Sequence, residues 1–299
     1  MHQWITTRMK YKLIHKTEYK YAEAVNNYHS LLCLAPRTLP DQKCSNFKIE
    51  ISPEPTQVIE RTDFYGNKTH YFSLHAPHKT LTVLTTATVE RVMDSTGTLF
   101  PPSDISCEAA LQQLVSDRSL KISMLEYMLP SPSIKWDQEI RNFAQDCFAD
   151  HLPLYDCVSA LCSKIFREFK FVPDFTTVNT PIKEVLHAKK GVCQDFSHLA
   201  IACIRSFGFA ARYVSGYLET LPPPGKQKLQ GSDASHAWIS VYIPDHGWCD
   251  FDPTNNIVPG ERHIVTAWGR DYSDVPPLKG IIFSYGKHTL SVEVDVIPV

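Results

Sequence analysis

Cys193 is the residue of this chain best suited to act as a nucleophile. It lies in the stretch KKGVCQDFSHLAIACIRSFGF (residues 189–209), where Gly191 allows an unusual turn before a run with helical periodicity and Gly208 marks the end of that run. Free N–H groups and the dipole at the start of a helix stabilise negative charge. A cysteine at this position is therefore expected to form a thiolate readily and to attack an electrophile.

Two further residues could complete a catalytic group with this thiol. His236 begins a strand in DASHAWISVYIP, and Asp252 ends the next strand in GWCDFDP, with the turn residues PDHG between them. A simple two-residue loop would pair His236 with Asn255 and leave Asp252 on the opposite face of the hairpin. The sequence therefore predicts an irregularity in this hairpin, a bulge or an odd loop length, that brings both side chains to one face.

In such a group the three residues have different roles. His236 takes the proton of Cys193 as a general base, and Asp252 orients the ring and balances its positive charge. Taken singly, each residue has a simpler interpretation: an inert buried thiol, a hydrogen-bonded histidine and a turn-forming aspartate before a proline. Their occurrence together, in this order, favours the catalytic interpretation.

Two other polar groups have alternative interpretations. A zinc site would draw its four ligands from Cys193, His236, His246 and Cys249. The chain has no CxxC or HExxH pair of the kind that zinc sites use, so we expect no metal. The charged residues of GRDYSDVPP either line the cleft or lock the C-terminal strands by ion pairs, and they are Arg270, Asp271 and Asp274.

The composition is that of an ordinary globular protein. Of its 299 residues 43% are hydrophobic and 21% charged, and 30 Lys and Arg balance 32 Asp and Glu, so we expect no nucleic-acid partner. An apolar N-terminal leader is absent and no window approaches 18 uninterrupted apolar residues, which predicts a cytoplasmic protein without a membrane partner. Nine irregularly spaced cysteines predict mostly buried free thiols.

The order of the predicted elements indicates an α+β fold. Strand-like segments occupy the first third; amphipathic helices such as LYDCVSALCSKIFREFK (residues 154–170) come next, and strands return from ARYVSGYLE (211–219) onward. We therefore divide the chain into a β-rich N-terminal domain (9–95), a linker with short helices (96–133) and a catalytic core (134–299). In that core, helices pack on an antiparallel sheet and the nucleophile begins a helix.

These motifs resemble those of bacterial transglutaminase-like proteins, in the superfamily that shares a papain-like cysteine-peptidase fold. The resemblance rests on GVCQDFSHLAIACIRSFGFAARYVSGY, DASHAWISVYIPDHGWCDFDPTNN and HIVTAWGRDYSDVPPLKG, and on KLIHKTEYKY, LCLAPR and DFYGNKTHYFSLH in the β-rich start. It implies a papain-like core and a catalytic triad of Cys193, His236 and Asp252. Animal transglutaminases use calcium, but this chain has no acidic DxDxDG loop, so no cofactor is expected.

The oxyanion hole is the least defined part of the predicted site. The backbone N–H of Cys193 is one natural donor, because amides at a helix start point toward a developing oxyanion. Animal transglutaminases use an upstream tryptophan as the second donor; here the nearest is Trp136, which we place on a helix face in the core. The remaining candidates for oxyanion or substrate contact are Gln194, Tyr213 and Trp238.

The expected reaction is acyl transfer from a peptide bond or glutamine carboxamide of a protein or peptide substrate, through a thioester. Hydrolysis is favoured over amine transfer, because the loop TLPPPGKQKLQGSDAS (residues 220–235) is polar and the aromatic residues available to wall a dry tunnel are few: Trp238, Trp248 and Tyr217. A protein-glutamine γ-glutamyltransferase, or a non-catalytic binding module on the same fold, remains the alternative.

Overall fold

The computed structural model describes residues 7–93, 102–221, 233–283 and 287–299. The first of these ranges forms five strands, as its β-branched and aromatic residues predict. They are β1 (Thr7–Leu32), β2 (Gln42–Ser52), β3 (Val58–Thr62), β4 (Lys68–Leu74) and β5 (His78–Met93). Their order in the sheet is β2-β5-β1-β4-β3.

The 26-residue strand β1 is the centre of this sheet. It contains KYKLIHKTEYKY and the start of SLLCLAP, which the sequence suggests are separate strands. Its first half pairs with β5, the pairing register shifts between Lys20 and Val25, and its last residues pair with β4. Such an irregularity lets a strand bend, so a single strand takes different partners along its length.

Six α-helices follow within the described ranges, with two very short parallel strands among them. The helices are α1 (Cys107–Ser116), α2 (Arg118–Met124), α3 (Gln138–Ala144), α4 (Leu154–Glu168), α5 (Ile182–Ala188) and α6 (Cys193–Ser206), and the strands are β6 (Lys170–Phe171) and β7 (Lys190–Gly191). The predicted amphipathic helix α4 buries a stripe at helical spacing, made by Leu154, Val158, Leu161 and Ile165. That stripe packs into the largest hydrophobic cluster of the described residues, together with most of α6.

The second sheet lies against α6. Its strands are β8 (Ala211–Leu218), β9 (Ala234–Ile243), β10 (Gly247–Phe251) and β11 (His263–Gly269), all antiparallel, in the order β10-β9-β8-β11. Ala237, Ile239 and Val241 of β9 are buried in the same cluster as α6. Helices packed on one face of an antiparallel sheet give the α+β fold that the sequence predicts.

The last two strands, β12 (Leu278–Phe283) and β13 (His288–Pro298), return to the first sheet. Both pair antiparallel with β1, and Tyr11 lies opposite Pro298. The sequence-based boundary at 134–299 assigns these strands to the core, whereas the structure pairs them with the N-terminal sheet. They cover the side of β1 that β5 and β4 leave open, so its backbone groups are not exposed as a free edge.

Among the residues described here, no helix combines the length and apolar character needed to cross a membrane.

Candidate active site

Cys193 is the first residue of α6, and its side chain is partly exposed. The helix start is held by Asp195, whose Oδ2 accepts hydrogen bonds from the N–H of Val192 at 2.8 Å and from the hydroxyl of Thr176 at 2.6 Å. A carboxylate in the first turn satisfies a backbone N–H just before the helix and fixes the entry of the chain. The thiol is thus presented from a rigid position.

The unusual backbone conformation before α6 occurs at Lys189 and not at Gly191, the residue that the sequence suggests. Lys189 adopts the left-handed conformation (φ 52°), whereas Gly191 does not. Gly191 is needed for space, because a Cβ there would lie 2.8 Å from a carboxylate oxygen of Asp195. At the other end of the helix Gly208 has φ 88°, as the sequence predicts.

The hairpin of β9 and β10 has the predicted irregularity. Gly247 pairs with Ile243, so the loop contains three residues (244–246), and Asp245 and Gly247 have positive φ values of 67° and 86°. This register continues to Ile239 opposite Phe251. Continued by one residue, it sets Asp252 on the same face of the hairpin as His236.

His236 contacts both of its predicted partners. Its Nε2 lies 2.7 Å from Oδ2 of Asp252, which leaves Nδ1 for a hydrogen bond with the thiol of Cys193. Burial opposes a charged ring, but the hydrogen bonds to Asp252 and Cys193 outweigh burial and raise the pKa of His236 to about 10. The ring is therefore a cation at neutral pH and lies beside the sulfur of Cys193.

The carboxylate of Asp252 is fully buried and held by several donors. Its Oδ1 accepts from the backbone N–H groups of Thr254 (2.9 Å) and Asn255 (3.2 Å), and its Oδ2 accepts from Nδ2 of Asn255 (2.7 Å). Nε2 of His263 lies 3.3 Å from the same Oδ2. Although burial raises the pKa of Asp252, hydrogen bonds from His236 and His263 hold it well below its usual range. The group therefore stays ionised.

Sequence reasoning missed His263 and Asn255. His263 begins β11, which pairs with β8 and not with the hairpin, so its contact with Asp252 depends on strand order rather than on sequence spacing. Its Nδ1 accepts the N–H of Gly260 at 3.3 Å, so the proton of a neutral ring is on Nε2 and points at Asp252. The one signal in the sequence is the position of this histidine at the head of the motif HIVTAWGRD.

The three candidates for oxyanion or substrate contact separate into two groups. Gln194 follows Cys193, but its Nε2 donates to the carbonyl of Val178 at 3.2 Å. Tyr213 is buried near the thiol; burial first, and then the charge of Cys193, raise its pKa. Trp238 is completely buried and its Nε1 donates to Oδ2 of Asp250 at 3.0 Å. Gln194 and Tyr213 therefore lie beside the nucleophile, and the indole N–H of Trp238 is used elsewhere.

Trp136 does not lie on a helix as predicted. It precedes α3 and lines a pocket of about 430 Å³ together with Val178 and His198, which links this pocket to Gln194 through the Val178 carbonyl. Trp136 packs against the largest hydrophobic cluster, as predicted, and at the same time forms part of the pocket wall. Of the polar loop at 220–235, residues 222–232 lie outside the described residues.

The four residues of the alternative zinc site do not converge. His246 lies in the hairpin loop at the far end of β9 from His236, about 30 Å along an extended strand. Within the described ranges, one group of three metal-ligating side chains is compact, with ligand atoms within 4.8 Å, and it consists of His236, Asp252 and His263. The hydrogen bonds of Asp252 account for that arrangement.

The charged residues that follow β11 contact one another and neighbouring backbone groups. The guanidinium of Arg270 donates to both carboxylate oxygens of Asp274, at 3.0 and 2.9 Å. Asp271 accepts from the N–H of Ser273 at 2.8 Å and of Ser133 at 2.7 Å, and so ties this turn to the segment before α3. These contacts agree with a locking role and do not touch Cys193.

Comparison with known proteins identifies the family to which this chain belongs. Residues 11–90 match the bacterial transglutaminase-like N-terminal region, and residues 141–253 match the transglutaminase-like superfamily. A protein of Mycobacterium tuberculosis is 38% identical over 297 residues, covering 97% of this chain and 93% of the relative. A protein of Mycobacterium leprae is 31% identical over 289 residues, covering 95% and 97%.

Among solved structures, a protein from Cytophaga hutchinsonii that is assigned as a cysteine protease superposes with a TM-score of 0.77 at 21% identity. The match covers 99% of this chain and 93% of that one, so the fold is shared over its whole length. The chain belongs to the transglutaminase-like superfamily and carries the bacterial transglutaminase-like N-terminal region in front of the superfamily core.

Proposed function

We propose that this protein is a cysteine-dependent hydrolase that cleaves a peptide bond or a glutamine carboxamide. The observation that carries the proposal is the position of the His236 ring, which contacts the thiol of Cys193 on one side and the carboxylate of Asp252 on the other. Nucleophile, base and orienting carboxylate in contact are the requirement for nucleophilic acyl transfer. The start of α6 adds an electropositive setting for the sulfur.

In the first step, the sulfur attacks the carbonyl carbon while the protonated ring of His236 holds the thiol's former proton on Nδ1. The tetrahedral oxyanion is stabilised by the backbone N–H of Cys193. As the C–N bond breaks, the proton on Nδ1 moves to the leaving nitrogen, so ammonia or an amine departs and a thioester remains. Asp252 keeps the ring oriented and balances its positive charge throughout.

The second step consumes one water molecule. His236 takes a proton from water, the hydroxide oxygen attacks the thioester carbon, and the C–S bond breaks to release a carboxylic acid. Cys193 regains its proton from the ring. No cofactor takes part in either step.

Three aromatic positions support hydrolysis over amine transfer. A transferase needs a dry channel to protect its thioester from water at about 55 M. Trp238 is completely buried, Tyr217 is buried and hydrogen-bonded to His15 at 2.8 Å, and Trp248 stacks on Arg212. Each of these rings is held by a partner inside the protein, and although Trp238 lies 6.0 Å from the His236 ring, its complete burial leaves it no surface to line an open channel.

We assign the substrate acyl side to the pocket lined by Trp136, Val178 and His198. Its volume of about 430 Å³ suits a peptide side chain rather than a small molecule alone. The pocket is next to Gln194, the residue that follows the nucleophile. A protein or peptide substrate is therefore the proposed partner.

The test supplies a glutamine-containing peptide together with a fluorescent primary amine and follows the products by mass. Cleaved or deamidated peptide is expected, and the reaction should disappear in Cys193→Ala. Cys44→Ser is the matched control, because Cys44 is the other described cysteine that is partly exposed. A main product with the mass of the amine added and ammonia lost would show a transferase, and no turnover of any peptide would favour the binding module.

A further inference from the structure

A second cavity lies on the face of the core sheet that points away from α6. It has a volume of about 210 Å³ and is lined from the sheet side by Arg212, Trp238 and Trp248, among others. The N-terminal region closes it with Arg91 and the segment 39–41. Neither Cys193 nor His236 lines it, although the cavity shares His263, which contacts Asp252, with the candidate active site.

Arg212 is the unusual residue of this cavity, because it is only 8% exposed although its charge has no hydrogen-bonded carboxylate partner in the described part of the chain. Its guanidinium is stacked between two indoles, 4.2 Å from the ring centre of Trp248 and 3.8 Å from that of Trp268. Among the described residues its Nε has no hydrogen-bond partner. Burial lowers the pKa of Arg212 to about 10, so the group is still a cation at neutral pH.

The stacking defines what the guanidinium can bind. Because aromatic rings lie against the guanidinium, only the N–H groups at its edge remain free to bind a ligand. These groups donate to an acceptor that lies in the plane of the guanidinium. A buried cation whose donors are unpaired is costly, which is a reason to expect an acceptor from outside the protein. Carboxylate oxygens match the geometry of a guanidinium edge.

Two further polar groups continue the line from Arg212 across the sheet. Ser240 pairs with Arg212 on one side and with Asp250 on the other, so the three residues lie side by side on adjacent strands. Ser240 is completely buried, and its hydroxyl also lacks a partner within the described part of the chain. Oδ2 of Asp250 accepts from Trp238, which leaves Oδ1 for another donor. The line therefore reads cation, hydroxyl, anion.

The charge balance favours a ligand without net charge. Arg91 is paired with Asp41, and Arg212 faces Asp250 through charge alone, without a hydrogen bond between them among the described residues. His263 also lines the cavity, and burial lowers its pKa, so it adds no charge. Arg37, outside the lining, also acts on the charge of Arg212, and it faces Asp63. These three cations and three anions cancel, and a lone anion would leave an uncompensated buried charge.

We propose that this cavity binds a small zwitterion, with its carboxylate on Arg212 and its ammonium group on Asp250. Ser240, which lies between these two residues in the sheet, is not part of the lining. The cavity holds the equivalent of about seven water molecules at about 30 Å³ each, which corresponds to an amino acid of about seven non-hydrogen atoms. Pro40 and Val258 at its lining are exposed, so the ligand has a route from solvent.

The experiment titrates the full-length protein with 4-aminobutyrate, by calorimetry and thermal shift in phosphate buffer, with butyrate and butylamine as single-charge controls. The zwitterion is expected to bind at least about tenfold more tightly than either control. Arg212→Met and Asp250→Asn should each weaken it by about tenfold or more. Alkylation of Cys193 should leave its affinity unchanged.

Because a buried arginine variant can fail to fold, Asp250→Asn is the second variant, with Asp245→Asn as matched control. Asp245 is exposed in the loop of the same hairpin and does not line the cavity. Loss of affinity in Asp250→Asn and not in Asp245→Asn supports the proposal. Four results would overturn it: no saturable binding up to about 10 mM, equal binding of a single-charge control, unchanged affinity in Asp250→Asn, or loss of binding after Cys193 is alkylated.

Discussion

At the scale of single residues, the carboxylate of Asp252 is the most heavily hydrogen-bonded group of the candidate site. Two backbone N–H groups, one side-chain amide and two imidazole rings are directed at its two oxygens. Each of these contacts requires an acceptor, which an ionised carboxylate supplies on both oxygens. Replacing one of its oxygens by an NH₂ group therefore disturbs orientation and charge without changing size.

Asp252→Asn should lower turnover by about 10²- to 10⁴-fold while the fold is retained. The amide cannot balance the positive charge of His236, and its NH₂ group would oppose a donor. Steady-state kinetics with a peptide substrate, alongside circular dichroism, measures both effects.

The control for that variant is Asp245→Asn, at the exposed loop of the same hairpin. Asp245 has a φ of 67°, a conformation that asparagine also tolerates, so activity should be unchanged. Equal turnover of Asp252→Asn and the unmodified protein would mean that another group orients the histidine.

Thiol reactivity also belongs to the residue scale. Of the nine free cysteines, Cys44 and Cys193 are partly exposed and the others are buried. A hydrogen bond from Cys107 lowers the pKa of Cys157 to about 7, but Cys157 is only 1% exposed. Reactivity toward a reagent in solution requires both a thiolate and access, and Cys193 has access and a protonated ring beside it.

Iodoacetamide in limiting amount at pH 6 to 7 should therefore modify Cys193 first. Peptide mapping by mass spectrometry identifies the order of labelling, and His236→Ala should remove the preference. First labelling of Cys44 would mean that exposure alone decides, and first labelling of Cys157 would mean that its helix opens readily.

At the scale of elements, the candidate site depends on a close approach between strands. Gly216 of β8 pairs with His236 of β9, and a Cβ on Gly216 would lie 2.1 Å from the carbonyl oxygen of Ile264 and 2.6 Å from the ring of Trp238. Gly247 in the hairpin has φ 86°, but a Cβ there would meet nothing within 4 Å. Gly216 is therefore required because no Cβ atom fits between the strands, and Gly247 because of its positive φ.

Gly216→Ala should consequently cost about 3 kcal/mol or more in the free energy of unfolding and reduce turnover, since β8 and β11 must separate beside His236. Gly247→Ala should cost about 1 to 2 kcal/mol, from backbone conformation alone, with turnover nearly unchanged. Urea unfolding and kinetics on both variants test the distinction; equal costs in the two would contradict it.

The same elements show how far the sequence predicts the site. Cys193, His236 and Asp252 could be predicted as catalytic residues because a helix start, two strands and a turn are local signals in the sequence. Side chains alternate between the faces of a strand, so His236 and Asp252 can share a face only if the hairpin loop has an odd number of residues, and it has three. His263 could not be predicted, because β11 reaches Asp252 only through its pairing with β8. The alternation of β9 places Trp238 on the same face as His236, with 6.0 Å between the ring centres, but it does not tell that the indole N–H donates to Asp250 of the neighbouring strand.

At the scale of the whole molecule, the two sheets are joined by buried polar contacts between residues about 200 positions apart. His15 of β1 lies 2.8 Å from the hydroxyl of Tyr217, and Gln42 donates to the carbonyl of Val265 at 2.7 Å. The sequence predicts β structure at each end of the chain, but no local pattern names the partner strand. The sequence therefore assigns β13 to the core, whereas the structure pairs it with β1.

His15 at this junction and His198 on α6 give the molecule a predictable acid sensitivity. Burial lowers the pKa of both to about 4 from the usual 6.5. Because the unfolded chain binds these protons and the folded protein does not, stability is complete above pH 6.5 and is lost as pH falls toward 4, by up to about 3 kcal/mol for each ring. His236 acts in another window, since its raised pKa stabilises the fold below pH 6.5 and that contribution is lost toward pH 10.

His15→Gln should therefore reduce the loss of unfolding free energy between pH 7 and 4.5 by about 2 to 3 kcal/mol, because glutamine does not titrate and can still bond to the partners of His15, Tyr217 and Thr17. Urea unfolding at a series of pH values gives the slope, and His151→Gln, at an exposed position, is the matched control. The prediction would be contradicted if His15→Gln lowered the free energy of unfolding by the same amount at every pH. That result would show that His15 is charged or solvated in the folded protein, and that the junction between the two sheets opens before the molecule unfolds.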